Sequence, residues 1–424
     1  MSNWTIDTLK KSFYNSESLD AAQIDFLLDY MNRNFPPQIF QEHLDKRRRA
    51  VENAKNAKHL LEGARQSFPA VLSYTALESS FNSLNGFAVV FTAGGEGERL
   101  RLSLLNRGVS ADNLRDFTKA TYPLKNFYKD FGALQINLAM ISRICSETGI
   151  DIPVIVTTGP QGSLTYKVIP KVLKEHNDFG LKNLRIIGQD ERLHFTQDER
   201  AAFQIVDGRP LPVTHPDETG GPLMKLKQKP NADTPSALEW LASLGCSKIL
   251  VVQGTAIYEP RMLSFMGAAA KEHDCAGVGI PRTAFNNDDP FGTFVTVEKS
   301  GGSKTCIIEQ DIRNDVTRSV KDEAGGAFLP FNTGFYAIDC KLLEENDLPD
   351  YATPPKEVLP DLPRSPKIGY AATDILPLAK RPLILTVEPD MYAVIKTAED
   401  LDTLSVTAIR FGLREIVEKR YTGT

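Results

Sequence analysis

Short apolar runs that alternate with helical patterns are the feature that most constrains the fold of this chain. The runs are rich in β-branched residues and end in glycine or polar residues, and they occupy residues 86–92, 152–158, 184–188 and 248–254. Such runs are typical of strands that are buried on both faces. Helical patterns, such as that of residues 133–149, lie between them. This order predicts an α/β fold with a doubly wound, mostly parallel sheet, whose ligands bind at the carboxyl ends of the strands.

The two ends of the chain have different hydrophobic patterns. Residues 5–84 carry apolar side chains at a spacing near 3.6, which indicates helices. The basic run at residues 46–49 lies between acidic residues, so we expect a solvated helix face rather than a polyanion site. Strand patterns dominate after Gly277, and a final helix is expected near residues 400–419. We therefore expect an N-terminal helical unit at 1–84, a main domain at 85–380 and a C-terminal segment at 381–424.

Composition and charge narrow the classes of function. The chain has 424 residues, 42% of them hydrophobic, and a formal net charge of −5. It therefore has a large core but no global positive field that would bind nucleic acid or an anionic membrane. No apolar run reaches the roughly 18 residues of a membrane span, and the N-terminus lacks the apolar run of a signal peptide. The five cysteines form no C-x-x-C pair. A cytoplasmic location is the default expectation, and the oligomeric state is not predicted.

A glycine loop, Gly-Gly-Glu-Gly-Glu-Arg at residues 94–99, directly follows the first apolar run. Glycines let the backbone approach a phosphate or a flat base, and the N–H groups of such a turn bind anions. The loop is not a P-loop, because no G-K-[ST] follows. It is not a dinucleotide-binding motif either, because Leu100 stands at the third glycine position counted from Gly95. Taken alone, the loop is compatible with a structural turn or with a nucleotide site.

A second segment, Thr-Lys-Ala-Thr-Tyr-Pro-Leu at residues 118–124, favours the nucleotide site. Together the two segments resemble the signature G-G-x-G-E-R-L…K-x-x-x-P of UDP-sugar pyrophosphorylases, within the wider family of UTP:sugar-1-phosphate uridylyltransferases. The resemblance implies a Rossmann-like, GT-A-like nucleotidyltransferase sheet, with residues 85–380 as the catalytic domain. It implies nucleotide binding by Ala93, Gly94, Gly95 and Gly97, and a catalytic role in phosphate neutralisation for Arg99 and Lys119. About a dozen residues more than in the family separate Arg99 from Lys119.

Further matches follow in the same order along the chain. Residues 215–222, His-Pro-Asp-Glu-Thr-Gly-Gly-Pro, resemble the second glycine turn of the family, which approaches the uracil. Gln189 stands where many members carry a glutamine near the base. Residues 391–401 resemble the segment of the phosphate-binding lysine, which makes Lys396 the third catalytic cation. The resemblance implies nucleotide contacts by Gly220 and Gly221, and sugar contacts by Gly292, Glu309, Asn332, Thr333 and Gly334.

One departure from the family concerns the metal. Gly254 stands at the end of an apolar run where the family has an aspartate that helps to bind Mg²⁺. The resemblance still implies Mg²⁺ as the cofactor, and Asp374 matches another acidic position of the family. Asp374 is therefore the remaining candidate ligand. An aspartate before an apolar run can equally cap a local turn.

The reaction that the resemblance implies is attack by a sugar-1-phosphate, first of all glucose-1-phosphate, on the α-phosphorus of UTP, with release of pyrophosphate. A catalytically silent homologue that binds a nucleotide or nucleotide sugar is the alternative, because position 254 lacks the acid. The two lysines favour an enzyme, since a protein that binds only uridine needs neither. An NAD(P)-dependent oxidoreductase fits the alternating pattern but not the glycine motif.

Overall fold

The structure, a computed structural model, describes residues 3–95, 97–128, 131–285, 289–360 and 362–422. The chain forms two compact units that interleave along the sequence. The first comprises Met1–Leu60, Asp190–Gly221 and Leu348–Ala372, and the second comprises Leu61–Gln189, Pro222–Asp347 and Thr373–Thr424. These two units are defined by the contacts between residues. The predicted division into three parts, with boundaries at residues 84 and 380, stays a prediction.

Thirteen α-helices lie in the described residues. In chain order they are α1 (Ile6–Ser12), α2 (Ala21–Asn34), α3 (Pro37–Lys58), α4 (Glu98–Asn106), α5 (Ala133–Thr148), α6 (Leu164–Glu175), α7 (Gly221–Lys227), α8 (Ala237–Ser243), α9 (Arg261–Ala269), α10 (Asp315–Ser319), α11 (Cys340–Glu345), α12 (Ala398–Arg410) and α13 (Leu413–Thr422). Side chains cap several of them. Asp20, for example, accepts the N–H of Gln23 at 2.8 Å, which satisfies a donor that the first turn of α2 leaves unpaired. Within these ranges, no helix has an apolar stretch long enough to cross a lipid bilayer.

Nineteen β-strands lie in the same residues. In chain order they are β1 (Arg65–Ser67), β2 (Val71–Ser73), β3 (Phe87–Thr92), β4 (Val154–Thr158), β5 (Leu184–Gly188), β6 (Glu191–Leu193), β7 (Phe203–Val206), β8 (Arg209–Pro212), β9 (Thr214–Pro216), β10 (Lys248–Gln253), β11 (Ala256–Tyr258), β12 (Cys275–Arg282), β13 (Thr293–Lys299), β14 (Gly302–Ile308), β15 (Phe328–Asp339), β16 (Asp350–Ala352), β17 (Ile368–Tyr370), β18 (Pro382–Thr386) and β19 (Tyr392–Val394). Eleven strands form one sheet, and the other eight form four pairs.

The eleven-stranded sheet lies at the centre of the second unit. Eight strands follow one another in the order β2-β18-β12-β15-β10-β3-β4-β5, and β13 joins β1 and β14 to the side of β15. Along this path neighbouring strands are parallel, except that β15 is antiparallel to both β10 and β12. The sheet confirms the predicted α/β fold, which is mostly parallel and has a strand-rich C-terminal part.

The four apolar runs of the sequence are the neighbouring strands β10, β3, β4 and β5. Every residue of β4 is buried, as are the first five residues of β3, because other parts of the second unit cover both faces. β5 lies at the edge and is half-buried throughout. The continuous apolar character of the runs therefore reports burial on both faces, as expected.

The strand order reverses between β3 and β10. The chain steps from β3 to β4 and β5 in one direction and then places β10 on the other side of β3. In open α/β sheets, ligands bind at the carboxyl ends of the strands at such a switch point. β3 ends at Thr92, whose carbonyl accepts the N–H of Gly254 just after β10, at 2.9 Å. The glycine loop, which follows Thr92, therefore begins at the switch point.

The first unit combines α1, α2 and α3 with three strand pairs, β6–β9, β7–β8 and β16–β17. Its apolar core contains Leu27 and Met31 from α2 and Phe13, which directly follows α1, together with Phe195, which is distant in sequence. The helical pattern expected up to residue 84 holds to the end of α3. The next segments form β1 and β2 of the large sheet, because three-residue strands depend on distant pairing partners rather than on local periodicity.

The basic run at residues 46–49 is not the solvated helix face that the sequence predicts. Lys46 is buried, and its Nζ lies 3.6 Å from carboxylate oxygens of both Asp217 and Asp350. Arg47 is also buried and donates to the carbonyl of Thr196 at 2.9 Å. The prediction is wrong for these two residues because their acidic partners come from the other two segments of the first unit. The run therefore joins all three segments.

Candidate active site

The glycine loop leaves β3 and leads into α4. Packing requires the glycine at position 94, because a Cβ there would lie 2.9 Å from the carbonyl oxygen of Thr158. A Cβ on Gly95 would meet no atom within 4 Å, so this residue borders open space. Glu96 lies outside the described residues. The loop is thus packed tightly at Gly94 and open at Gly95.

Gly97 joins the loop to the segment of Lys119. Its φ is 74°, in the left-handed region that glycine adopts without steric cost. A Cβ on Gly97 would lie 2.7 Å from the Cβ of Lys119. The turn that carries Lys119 is anchored to α5, because the carbonyl of Ala120 accepts the N–H of Leu134 at 2.9 Å. The two segments that carry the family signature therefore touch each other, despite the additional residues between Arg99 and Lys119.

Lys396 is brought to the switch point by a strand pair. β19 runs antiparallel to β11, which follows β10, and the N–H of Ile395 donates to the carbonyl of Thr255 at 3.1 Å. The carboxylate of Asp400 then accepts the N–H groups of Lys396 and Thr397, each at 2.7 Å. These bonds fix the backbone of Lys396 at the start of α12.

Arg99, Lys119 and Lys396 form one cationic cluster. The charges of Lys396 and Arg99 both act on Lys119, and the charge of Arg99 acts on Lys396. Burial lowers the pKa of Lys119 to about 8, and the two neighbouring cations contribute to the fall while Asp400 opposes it. Burial, followed by Arg99, lowers the pKa of Lys396 as well. Three mutually repelling cations, two of them partly withdrawn from water, are an arrangement suited to a polyanion.

The five residues predicted for the sugar lie in or beside the middle of β15. The carbonyl of Gly292 accepts the N–H of Asn332 at 2.8 Å. A Cβ on Gly292 would lie 3.1 Å from Oε1 of Glu309, so only a glycine leaves this carboxylate its present place. The side-chain oxygen of Asn332 accepts the N–H of Gly334 at 2.9 Å. The structure therefore brings these residues together.

Thr333 lies between Asn332 and Gly334 in β15. Its buried hydroxyl donates to the carbonyl of Val278 at 2.9 Å and accepts the N–H of Phe335 at 3.3 Å, so these bonds hold the strand, and its contact with the sugar stays a prediction. The carbonyl of Thr333 accepts Nε2 of Gln253 at 3.3 Å. Gly334 has a φ of 76° and makes room for that amide. Sequence analysis missed Gln253, because its contact passes from β10 to β15.

Asp374, the predicted metal ligand, lies beside the sugar-side residue Glu309. Burial raises the pKa of Asp374 to about 6, and the charge of Glu309 contributes to the rise. Burial also raises the pKa of Glu309, with a further contribution from Asp311 and an opposing one from Arg313. The two carboxyl groups therefore form a pair whose charged forms are costly without a cation.

The donor set of this pair suits Mg²⁺, which takes oxygen ligands and often combines one or two carboxylates with phosphate oxygens and water. Position 254 does not offer a further ligand. A Cβ on Gly254 would lie 3.2 Å from the Cβ of Ala93 and from the carbonyl oxygen of Thr92, so an aspartate requires a shift of its neighbours. Across the described ranges, no group of three or more histidine, cysteine, aspartate or glutamate side chains could hold a metal. Glu309 and Asp374 could therefore supply at most two carboxylate groups, and an ion held there would need further oxygen ligands from substrate or water.

Gln189, predicted near the base, directly follows β5. Its N–H donates to the carbonyl of Thr158 at 3.1 Å, and Gly94 packs on the same carbonyl oxygen. The glycine loop and Gln189 therefore share one backbone neighbour. This shared neighbour places the two predicted nucleotide-binding segments at the carboxyl end of β4, one after each of its two neighbouring strands.

Gly220 and Gly221 belong to the first unit. The N–H of Gly220 donates to the carbonyl of Tyr370 at 2.7 Å, and a Cβ on Gly221 would lie 2.5 Å from the Cβ of Asp217. Packing within the first unit is thus sufficient to explain why both residues are glycines. Their contact with the uracil stays a prediction.

An aromatic pocket of about 250 Å³ adjoins Lys396, and its walls include Phe291, Phe331, Tyr392 and Asp400. The Nζ of Lys396 lies 3.6 Å from the centroid of the Phe291 ring. Sequence analysis missed Phe291. An aromatic residue before a glycine has many local explanations, and the contact with Lys396 joins positions about a hundred residues apart.

Comparison with solved structures shows the class of fold to which this arrangement belongs. The chain matches the UDP-N-acetylglucosamine pyrophosphorylase of Trypanosoma brucei, solved with an inhibitor, at a TM-score of 0.68 and 16% identity, over 93% of this chain and 80% of that chain. It matches a UDP-glucose phosphorylase of Trypanosoma brucei at 0.62 and 16%, over 91% and 79%. It matches a mutant of the UDP-glucose pyrophosphorylase of Leishmania major at 0.61 and 15%, over 91% and 79%.

The chain therefore has an α/β nucleotidyltransferase fold, and in particular the fold of UDP-sugar pyrophosphorylases, as the resemblance of its motifs implies. No protein-family profile and no curated protein sequence matches it. At identities of 15–16% the likeness establishes the fold. The activity has to be argued from the site.

Proposed function

We propose that this protein is a nucleotidyltransferase that joins a sugar-1-phosphate to the uridylyl group of UTP and releases pyrophosphate. The observation that carries the proposal is the convergence of Arg99, Lys119 and Lys396 beside the glycine loop. The three cations come from distant parts of the chain. A structural turn in the loop would need none of them.

The proposed reaction is a single displacement at phosphorus. An oxygen of the sugar-1-phosphate attacks the α-phosphorus of UTP, the bond from that phosphorus to the bridging oxygen of the β-phosphate breaks, and pyrophosphate leaves with the electron pair. A phosphate monoester has a second pKa near ~6, so the nucleophile is largely a dianion at neutral pH and needs no general base. The protein has to align two phosphate groups that repel each other and stabilise the spreading charge.

The cationic cluster supplies that stabilisation. In the proposed complex the glycine loop binds the nucleotide, with the open side of Gly95 towards it, and Lys119 and Lys396 contact the phosphates. Glu309 and Asn332 bind the hydroxyl groups of the sugar. Glu309 and Asp374 would hold Mg²⁺ together with substrate oxygens, and the ion when bound would neutralise phosphate charge as a Lewis acid.

The test is a substrate panel. The purified protein is incubated with UTP, Mg²⁺ and one of four sugar-1-phosphates (glucose, N-acetylglucosamine, galactose or glucuronate), and pyrophosphate release is measured. We expect release with glucose-1-phosphate or N-acetylglucosamine-1-phosphate, since the similar solved structures are enzymes of UDP-glucose and UDP-N-acetylglucosamine. The Lys119→Met, Lys396→Met double variant is expected to release at least a hundredfold less, because each clamp is worth ~2.7–4 kcal/mol in a closed site.

The crowding around Gly254 supports a second candidate, a homologue that binds a nucleotide or nucleotide sugar without turnover. Calorimetric titration with UTP and with UDP-glucose separates the two. Binding of either ligand with no pyrophosphate release for any sugar-1-phosphate would establish the silent binder. Release that depends on Lys119 and Lys396 would exclude it.

A further inference from the structure

Lys396 has to keep its ammonium group close to two other cations. A lysine side chain is a flexible four-carbon stem, and repulsion from Arg99 and Lys119 would drive its charged end away into solvent. The N–H group of Lys396 donates to the carboxylate of Asp400, which fixes the backbone of Lys396 but not the end of its side chain. The charges of Asp400 and Asp289 attract the ammonium group, and a direct contact can fix where it lies.

The ring of Phe291 makes such a contact. The Nζ of Lys396 lies 3.6 Å from the ring centroid, well inside the roughly 6 Å within which an aromatic face attracts a cation. A phenyl ring attracts the ammonium without carrying a charge of its own. A carboxylate partner would hold the lysine more strongly but would cancel the charge that a phosphate needs. An aromatic face therefore supports the lysine without placing another negative charge beside it.

Phe291 is itself held firmly. Its ring stacks on Phe331 with a centroid separation of 4.7 Å and an interplanar angle of 26°. Its N–H donates to a carboxylate oxygen of Asp289 at 2.9 Å. The buried Arg282 donates to the other oxygen of Asp289 at 2.6 Å and to the carbonyl of Phe291 at 3.4 Å, and its guanidinium lies 5.3 Å from the Phe331 ring centroid. Ring and backbone are thus fixed from separate sides.

We propose that Phe291 is a positioning residue for Lys396, and that the Phe291–Phe331 stack, anchored by Arg282 and Asp289, holds the lysine ready to meet phosphate. The inference rests on the proposed function for the identity of the ligand. It requires only that the cationic cluster binds a phosphate polyanion.

A double-mutant cycle of Phe291→Leu and Lys396→Met tests this. Leucine keeps most of the apolar volume and removes the aromatic face. We expect Phe291→Leu to lower kcat/KM for UTP and to weaken the binding of inorganic pyrophosphate by about 2- to 30-fold, the range of cation–π contacts at exposed to desolvated sites. In the Lys396→Met background the same substitution is expected to have no further effect, because Phe291 acts through the lysine.

Three further variants separate positioning from packing. Phe291→Tyr keeps the aromatic face and should retain parental affinity, whereas Phe291→Glu should hold the lysine but cancel its charge and weaken pyrophosphate binding. Phe328→Leu is the matched control, since it removes another lysine–phenylalanine contact, in which Nζ of Lys321 lies 4.6 Å from the Phe328 ring centroid. We expect no change in pyrophosphate affinity for this control. Thermal unfolding of each variant verifies folding.

Equal losses from Phe291→Leu in the parent and in Lys396→Met would overturn the inference, because the ring would then act on the fold and not through the lysine. A coupled loss in pyrophosphate binding together with no turnover of any sugar-1-phosphate would refute the proposed function and support the inference. Absence of pyrophosphate binding by the parent protein would refute both.

Discussion

Lys119 combines a positive charge with surroundings that disfavour it. Burial is the largest cause of its lowered pKa of about 8, and Lys396 and Arg99 lower it further. A lysine in this state is protonated in most molecules at neutral pH, but it gains more than an ordinary lysine from a bound anion, which relieves the repulsion. A bound phosphate would thus offset the electrostatic repulsion between the three cations.

This pKa leads to a dependence of activity on pH. If Lys119 binds phosphate as proposed, its protonated form is the one that binds, and kcat/KM for UTP is expected to fall as pH rises through about 8. Lys119→Arg should keep its charge and move this decline to higher pH, although its different geometry should lower the rate at neutral pH. Lys119→Met should lower kcat/KM by about a hundredfold and abolish this part of the pH profile.

The control for this prediction is Lys125→Met, which removes an exposed lysine whose Nζ lies 3.7 Å from a carboxylate oxygen of Asp402. We expect it to leave both the rate and the pH profile unchanged. A Lys119→Met enzyme that keeps the parental decline near pH 8 would show that another group titrates there.

Sequence motifs locate some residues of the site and not others. Gly97 and Lys119 lie within the local signature, and the structure shows them in contact. Phe291 and Gln253 act through contacts that join distant strands and segments, for which the sequence has no local pattern. Thr333 is predicted at the sugar because its segment resembles the sugar-binding segment of the family. The sequence does not show that its buried hydroxyl bonds within the protein, to the carbonyl of Val278.

The three glycines of the glycine loop stand close together for different reasons. Gly94 is required by packing on β4, Gly97 by its positive φ, and Gly95 by neither. The open space beside Gly95 is consistent with the proposed nucleotide site. Gly94 and Gly95, although adjacent and identical, therefore have different roles.

This difference predicts opposite outcomes for two substitutions. Gly95→Val should leave the free energy of unfolding within about 0.5 kcal/mol of the parent, because its side chain enters open space, and should weaken UTP binding at least tenfold. Gly94→Ala should lower the free energy of unfolding by about 1–3 kcal/mol, because its Cβ would press on the backbone of Thr158. Urea unfolding and calorimetric titration with UTP measure the two effects. Parental UTP affinity in Gly95→Val would place the nucleotide elsewhere.

The helix α3 shows how composition can mislead. Four consecutive basic residues usually face solvent, since buried charges are costly unless they are paired. The partners of Lys46, Asp217 and Asp350, lie more than 150 residues away in sequence, and the Lys46 Nζ also lies 3.3 Å from the centroid of the Tyr370 ring. Only the folded chain reveals this pairing.

Three buried histidines join the segments of the first unit. His43 accepts the N–H of Leu193 at 3.3 Å, His194 bonds with Ser365 at 2.7 Å, and His215 accepts an N–H of β17 at 3.4 Å. Burial lowers the pKa of His43 and of His194 to about 4 and that of His215 to about 3. All three rings are therefore neutral in the folded protein at neutral pH.

The first unit should consequently lose stability in mild acid. Between about pH 6.5 and pH 4 the unfolded chain binds protons that the folded histidines do not, so the free energy of unfolding falls by about 1.4 kcal/mol per pH unit for each histidine. Stability is thus fully present above about pH 6.5 and decreases below it. Glu218, whose pKa is raised by burial, opposes part of this loss.

The two tryptophans provide the measurement, because Trp4 lies in the first unit and Trp240 in the second. In a Trp240→Phe background, urea unfolding followed by tryptophan fluorescence reports on the first unit alone. His215→Gln should make the pH dependence less steep, and the exposed His59→Gln should not change it. An equal slope in the parent and in His215→Gln would contradict the assignment.

The overall architecture could be predicted where it depends on continuous patterns. The four apolar runs are four neighbouring strands, as the predicted mostly parallel sheet requires, but their order along the chain does not show that β10 joins on the far side of β3 and creates the switch point there. Long-range pairing could not be predicted, as in β15, which runs antiparallel between β10 and β12. It could not be predicted either that the first unit consists of three separate segments. The periodicity of its helices shows which face is buried but not which residues cover that face.

That discontinuity has a consequence for synthesis on the ribosome. A nascent chain grows by about 5–20 residues per second, so the roughly 160 residues between Leu60 and Gly221 take about 8–32 s to appear. During this interval α1, α2 and α3 are complete but lack Leu193, Phe195 and Ala201, which complete their apolar core. The apolar faces of these helices are then open to chaperones or to other nascent chains, and a ribosome that stalls before Asp190 leaves them without their native cover.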